Sequence, residues 1–238
     1  MKMLGKLFLA IGFSFITCLA CASPDSPKNG VDYLTLENPQ PSDAGDKVEV
    51  MEFFGYFCSH CYGFDASLIK WMEKQNRHVT FKRVHINFND NMALQQRLFY
   101  TLSAMGKLTN SLHHRVFDAI QVKRTPLRNE RQIGDFVQKM GIDRNTFLDM
   151  YRSFTVQSLC DGAVQMQSSY QIDGVPTIVI DGRYVTSLAI VSEGNQFSGS
   201  EEEARVMTMQ VMDNLVARIL KERQESRKNA ATAKNRKK

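Results

Sequence analysis

The pattern of hydrophobic and polar positions divides the chain into two β-containing stretches with a helical stretch between them. Residues 47–54 form an apolar run of strand length, and Gly55 ends it. From residue 58 to residue 75 the apolar positions recur at helical spacing, and residues 79–88 then alternate as a strand does. This order of strand, helix and strand predicts a βαβ unit whose two strands run parallel.

The stretch between residues 91 and 170 shows no strand pattern. Its periodicity predicts five helices, over residues 92–105, 111–122, 130–140, 144–154 and 156–169. Asn129 and Asp143 are placed as N-caps, and Gly106 and Gly141 end helices. We expect these helices to pack as a lobe of their own.

Strand patterns return after Pro176. Residues 177–180 and 183–188 flank Asp181-Gly182, a typical hairpin turn. Residues 201–222 have one apolar stripe, which predicts a long amphipathic helix. Near the start of the chain, residues 33–36 could add a short edge strand.

These elements predict an α/β fold of two domains. Residues 23–90 and 171–226 form one domain from two segments of the chain, and residues 91–170 form an all-helical insert between them. The functional site should lie where the two domains meet.

The first residues have the features of a targeting signal. Two lysines precede an apolar run at residues 7–19, and Ala20-Cys21-Ala22 fits the small-x-small cleavage rule. Residues 1–22 are therefore predicted to be a signal peptide, which directs export of the mature protein. The alternative is a lipid anchor on Cys21, although Cys18 stands where lipoproteins usually have Leu.

The net charge of +5 is unevenly distributed. The leader carries +2 and residues 221–238 carry +6, so residues 23–220 carry −3. A mildly acidic body argues against nucleic acid as the main partner, because phosphate binding needs a basic face. Residues 227–238 are predicted to be a basic, disordered tail.

The five cysteines point to redox chemistry rather than to structural disulfides. Two lie in the leader, which leaves Cys58, Cys61 and Cys160. A domain held together by disulfides would have a larger, even set. One close pair and a singleton indicate a reactive couple, and Cys160 is interpreted as a small buried hydrophobe rather than a third redox centre.

The pair Cys58 and Cys61 lies where a predicted strand gives way to a predicted helix. A helix N-terminus offers unpaired N–H groups and the positive end of the helix dipole, and both favour a thiolate. Cys58 is therefore the predicted nucleophile and Cys61 the resolving thiol. His60 is a protonatable neighbour that can stabilise the Cys58 thiolate further.

Two other interpretations of the pair are less favourable. A zinc site would need a second ligand pair, and the adjacent His113 and His114 are poorly placed for one. A purely structural disulfide across so small a ring would stabilise the fold little. No metal or cofactor is expected beyond the Cys58–Cys61 disulfide itself.

The segment from Glu52 to Cys61, together with Gly174-Val175-Pro176-Thr177, resembles the DsbA family of periplasmic disulfide oxidases. The likeness extends from about residue 47 to residue 222. It implies a thioredoxin-like fold interrupted by a helical domain. It also implies a cis Val175-Pro176 bond beside the disulfide, with Val175 and Pro176 placed to hold an extended substrate.

The resemblance also assigns roles near the cysteines. Glu52 matches the family's buried acid, a candidate proton acceptor for Cys61, although it could instead be an edge or surface carboxylate. Arg83 stands where a Lys is common near that acid, and an Arg cannot easily give up a proton. Ser59 replaces the Pro of the family's commonest dipeptide, which leaves the oxidising strength open.

The expected function is donation of disulfides to reduced or unfolded exported proteins by a monomeric enzyme. The resemblance implies a membrane disulfide-generating oxidase as the partner that restores the oxidised form. Two alternatives remain open at this point. One is a disulfide isomerase or reductase, and the other is a lipid-anchored binding protein that kept the thioredoxin fold.

Overall fold

The computed structural model describes residues 26–235. The predicted signal peptide and Cys21 lie outside this range. Within it, no helix is both long enough and apolar enough to cross a membrane.

The strands of the described range form one five-stranded sheet in the order β1-β5-β4-β2-β3. The strands are β1 (Leu34–Thr35), β2 (Val48–Phe54), β3 (Val79–His85), β4 (Thr177–Ile180) and β5 (Tyr184–Thr186). Strands β2 and β3 are parallel and the other pairs are antiparallel. The parallel unit, the hairpin after Pro176 and the edge strand near the start of the chain are thus confirmed.

The helices fall into two groups. The insert between β3 and β4 contains α2 (Asp90–Ala104), α3 (Asn110–Gln121), α4 (Glu130–Lys139), α5 (Arg144–Tyr151) and α6 (Phe154–Ser169). The sheet domain contains α1 (Ser59–Gln75), α7 (Leu188–Gly194) and α8 (Glu201–Asn235). The thioredoxin-like fold with an inserted helical domain is confirmed.

Side-chain capping sets where the helices of the insert begin. In each, the residue before the helix accepts a hydrogen bond from the backbone N–H three positions on. These capping residues are Asn89, Thr109, Asn129, Asp143 and Ser153. Such caps satisfy donors that a helix start would otherwise leave unpaired.

Strand β2 is buried along its whole length and joins two hydrophobic cores. Val48 and Val50 pack in one core with the apolar faces of α1 and α8. Met51 and Phe53 pack in the other, which continues into the helical insert. Because side chains alternate along a strand, Glu52 points to the same face as Val48 and Val50, towards α1.

The N-terminal arm is held against the C-terminal half by close backbone contacts. A side chain at Gly194, the last residue of α7, would overlap the backbone of Val31, and one at Gly182 would overlap the backbone of Gln40. Gly182 also has a positive φ of 62°, which favours glycine. These contacts place the arm beside the end of α7 and the turn between β4 and β5.

The sequence prediction for the C-terminal region differs from the structure in two places. Helix α8 does not end at residue 222 but continues to Asn235, so the basic tail is helical rather than disordered as far as it is described. Lys, Arg, Glu and Ala dominate this segment, and all favour helix. Helix α7 was not predicted, because residues 187–194 were not recognised as a capped turn; Ser187 caps it.

Candidate active site

The reactive pair lies at the junction of β2 and α1. Gly55, the first residue after the strand, leaves room for the ring of Phe57, which a side chain at this position would overlap. The N–H of Cys58 donates to the carbonyl of Gly55 at 3.0 Å. Cys58 is the N-cap of α1, with an extended backbone, and its Sγ accepts from the N–H of Cys61 at 3.2 Å. The sulfur thus takes the position that a capping oxygen usually holds.

The two thiols differ in acidity. The pKa of Cys58 is lowered to about 7, mainly by a hydrogen bond from the Cys61 thiol and further by the backbone N–H groups of Cys61 and His60. The pKa of Cys61 is raised, first by burial and then by that same hydrogen bond. Cys58 is 9% exposed and Cys61 fully buried. The nucleophile and the resolving thiol therefore have the environments that their predicted roles require.

The loop before β4 lies against Cys58. The Cys58 thiol donates to the carbonyl oxygen of Val175 at 3.3 Å, and the Val175–Pro176 bond is cis, as predicted. The hydroxyl of Thr177 donates to the carbonyl of Gly174 at 2.8 Å. The structure thus brings Val175 and Pro176 to the reactive sulfur from 117 positions away in the chain.

Glu52 lies behind the pair and is 1% exposed, so it is neither an edge nor a surface carboxylate. Its register partner on β3 is Arg83, whose Nε donates to Glu52 Oε2 at 3.0 Å. Burial raises the pKa of Glu52 to about 7, although the charge and hydrogen bond of Arg83 act in the opposite direction. A carboxyl that titrates near neutrality can take up or release a proton under working conditions.

A second buried acid, Asp65, belongs to the same network and was not predicted. It is 1% exposed, and Arg83 Nη2 donates to its Oδ1 at 3.1 Å. His113 Nε2 lies 3.4 Å from Oδ1, and His114 Nδ1 lies 3.2 Å from Oδ2. Burial acts to raise the pKa of Asp65, but these two histidines and Arg83 outweigh it and hold that pKa below its usual value. Arg83 is thus shared between two carboxylates.

His60 projects outward from the first turn of α1. Its side chain is 62% exposed, and its Nδ1 lies 3.0 Å from Oε2 of Glu201, the first residue of α8. Its positive charge, when present, lowers the pKa of Cys58, but less than the Cys61 hydrogen bond does. The predicted effect of His60 on the thiolate therefore has an electrostatic basis, while its contact with Glu201 has no counterpart in the sequence prediction.

Cys160 lies apart from this centre on α6 and is 7% exposed. Burial raises the pKa of its thiol to about 11, so it stays neutral at physiological pH. Its burial agrees with the interpretation of a small hydrophobic side chain. Within residues 26–235, no group of three or more His, Cys, Asp or Glu side chains is arranged to hold a metal ion.

A groove of about 920 Å³ lies alongside the reactive pair. Its walls are segments 34–38 of the N-terminal arm, 169–177 before β4, 187–193 of α7 and 197–204 at the start of α8. His60 lines its rim and Val175 its wall. An extended polypeptide that reacts with Cys58 can therefore continue along a formed surface.

Comparison with known proteins finds one family, both among family models and among individual relatives. The family model of the DSBA-like thioredoxin domain matches residues 49–203. The thiol:disulfide interchange protein DsbA of Burkholderia cepacia is 36% identical over 213 residues, which cover 89% of this chain and 98% of that protein. The protein of that name from Bordetella pertussis is 34% identical over 216 residues, 91% of this chain and 97% of the relative.

Solved structures show the same likeness. The crystal structure of Pseudomonas aeruginosa DsbA superposes with a TM-score of 0.73 at 31% identity and covers 86% of this chain and 98% of its own. Fold and site together define a thiol–disulfide oxidoreductase with an inserted helical domain. The chain belongs to the family of DSBA-like thioredoxin domains.

Proposed function

We propose that this protein donates its Cys58–Cys61 disulfide to reduced proteins exported to the bacterial periplasm. The observation that carries the proposal is the unequal acidity of the two thiols, with Cys58 lowered to about 7 and Cys61 raised. Stabilising the Cys58 thiolate favours the reduced form of the enzyme, which raises the oxidising power of the disulfide.

The reaction follows from this geometry. A substrate thiolate attacks Cys58 Sγ, the Cys58–Cys61 bond breaks, and Cys61 leaves with the electron pair. Cys61 then takes a proton, for which the buried carboxyl of Glu52 is the proposed donor. A second substrate thiolate attacks the substrate sulfur of the mixed disulfide, and Cys58 leaves as a thiolate. The substrate loses two electrons and gains a disulfide, while the enzyme becomes a dithiol.

The loop before β4 is proposed to hold the substrate during these steps. Val175 faces the sulfur of Cys58 through its carbonyl, which is 3.3 Å from Sγ. The groove beside it gives an extended chain room to lie next to Val175 and Pro176. Main-chain hydrogen bonds to such a loop favour unfolded substrates, because only an extended segment presents its backbone.

The cellular setting belongs to the same proposal. Residues 1–22 act as a signal peptide cleaved before Ser23, rather than as a lipoprotein leader ending at Cys21. The enzyme works as a monomer, and a membrane disulfide-generating oxidase takes the two electrons from the Cys58–Cys61 dithiol. The two lysines before the apolar run at residues 7–19 support export, since a basic leader before an apolar run directs secretion.

The test is the equilibrium of the Cys58/Cys61 couple with glutathione. A disulfide donor should have a potential less negative than about −180 mV, whereas a reductase such as thioredoxin lies near about −270 mV. The oxidised protein should also introduce disulfides into a reduced, unfolded protein without another oxidant. A potential in the thioredoxin range would reject the donor function and favour the reductase alternative.

A further inference from the structure

The groove carries charge of one sign. Four carboxylates line it: Glu37, Asp173, Glu193 and Glu201. Among the described residues, no Lys or Arg lines the groove, and His60 is the one basic side chain on its wall. The whole chain has 30 Lys and Arg against 25 Asp and Glu, so the lining departs from the composition of the chain.

Three of the four carboxylates are free to meet a ligand. Glu201 is already paired with His60 and Arg205. Glu37, Asp173 and Glu193 are exposed, and none of them forms an ion pair with a residue of the range 26–235. A concave wall that holds unpaired charges of one sign concentrates their field at its mouth.

The rest of the lining mixes apolar side chains with Ser, Thr, Asn and Gln. Leu36, Ile172, Leu188 and Phe197 lie on it, alongside Val175. A Lys or Arg side chain suits such a surface, because its aliphatic stem packs on apolar groups while its charged end reaches a nearby carboxylate. An Asp or Glu at the same place would meet like charges and gain no comparable packing.

We propose that this groove selects polypeptide segments in which Lys or Arg flank the reactive cysteine. The inference rests on the proposed function, since it assumes that substrates lie in the groove while they react with Cys58. It names the class of substrate: extended basic segments are oxidised faster than neutral ones, and neutral segments faster than acidic ones.

The first test compares three peptides that share two cysteines and differ only in their flanking residues, which are Lys, Gln or Glu. The second-order rate constant for reduction of the oxidised protein is measured by alkylation of thiols and mass analysis. Each rate is divided by the rate of the same peptide with a neutral small disulfide, which removes the effect of flanking charge on the peptide thiol. We expect the corrected Lys rate to exceed the Glu rate about tenfold at low salt.

Salt gives the second arm of the test. At about 1 M salt the Debye length is about 3 Å, so the ratio should fall to about two. A ratio near one at low salt, or a ratio that salt leaves unchanged, would overturn the inference. If no peptide is oxidised at all, the proposed function itself fails, and the two failures are therefore distinguishable.

Charge-neutral variants locate the effect. The triple variant Glu37→Gln, Asp173→Asn, Glu193→Gln should lower the low-salt Lys-to-Glu ratio from about tenfold to about two. The matched control Glu73→Gln, Asp149→Asn, Glu225→Gln removes the same charge from exposed positions outside the groove and should keep the full ratio. If both variants lower the Lys-to-Glu ratio equally, the preference comes from net charge, and the inference that the groove selects basic segments is overturned. The peptide series on the unaltered protein decides the case even if the groove variant does not fold.

Discussion

Glu201 at the start of α8 lies 3.0 Å from the Nδ1 of His60, in the reactive turn of α1. The two residues are 141 positions apart in the chain. Arg205 holds the same carboxylate from the other side and also contacts Glu202 at 2.9 Å. Burial acts to raise the pKa of Glu201, but hydrogen bonds from Arg205 and His60 outweigh it and lower that pKa. A second helix thereby fixes the position of the histidine beside Cys58.

Replacing Glu201 should weaken the oxidant through His60. In Glu201→Gln the carboxylate that holds the His60 ring in place is lost, so the Cys58 thiolate loses part of its stabilisation by His60. The equilibrium with glutathione should move about two- to threefold towards the oxidised enzyme, with a matching rise in the Cys58 pKa seen as thiolate absorbance. Glu202→Gln is the control, because Glu202 contacts Arg205 alone.

A double variant separates this route from a direct effect of charge. In a His60→Gln background, Glu201→Gln should leave the Cys58 pKa unchanged. A fall in that pKa would mean that the Glu201 charge acts on the thiolate directly, and the positioning role would be wrong.

The roles within the cysteine pair predict different products. Cys61→Ala should accumulate mixed disulfides formed when the Cys58 thiolate attacks a disulfide of a substrate protein and displaces one of its sulfurs as a thiolate, because no Cys61 thiol remains to attack Cys58 and release the substrate. Cys58→Ala should form no such adducts, since Cys61 is fully buried. Non-reducing electrophoresis followed by mass analysis of the linked peptides measures both. Adducts through Cys61 in the second variant would reverse the assignment.

Glu52 should make stability depend on pH. Its pKa is raised from 4.5 to about 7 in the folded state, so the folded protein binds the proton more tightly than the unfolded chain. The stability that this proton contributes is complete below about pH 4.5 and is lost as the pH rises through 7. Glu52→Gln should therefore be more stable than the natural protein at pH 8, by up to about 3 kcal/mol, with the gap closing towards pH 4.5.

Urea unfolding of the reduced protein across that pH range measures the effect. Glu73→Gln, an exposed change on α1, provides the control and should show a constant difference near zero. A gap for Glu52→Gln that widens on acidification would contradict the predicted sign.

The N-terminal arm offers a prediction about packing. Gly194→Ala would place a methyl group against the backbone of Val31, which cannot yield as a side-chain end can. The free energy of unfolding should fall by about 1–3 kcal/mol. Gly162→Ala, at an open helical position of α6, should instead raise it by about 0.5–1 kcal/mol. Denaturant titration measures the free energy of unfolding of both variants. Equal changes in the two would show that the arm is not held at Gly194.

Much of the fold was readable because its signals are local. The alternation along β2 and β3, the capping side chains of the insert and the hairpin after Pro176 each occupy a few consecutive residues. The end of helix α8 is not predictable from its sequence, because a run of Lys and Arg fits a solvated coil as well as a helix. The short helix α7 was missed, although Ser187 does cap it.

The site was predicted only in part, because only those of its features that have a signal in the sequence could be predicted. Cys58 and Cys61 are linked by spacing, and Glu52 and Arg83 were associated by the family resemblance before their register was known. Asp65 and Glu201 have no such signal. Their partners lie in other elements, and only the packing of those elements shows which charge meets which. The acidic character of the groove is likewise invisible along the chain, because its walls come from four separate segments.

The segments that form the groove are synthesised at different times, and most of them follow the two cysteines. Cys58 and Cys61 precede Val175 by more than a hundred residues, and the last wall of the groove begins only at residue 197. During synthesis the N-terminal part of the chain appears first. Its two thiols are therefore exposed long before the chain can form the groove that selects substrates. Until α8 emerges, the growing chain has reactive sulfur but no means of discriminating among the thiols around it.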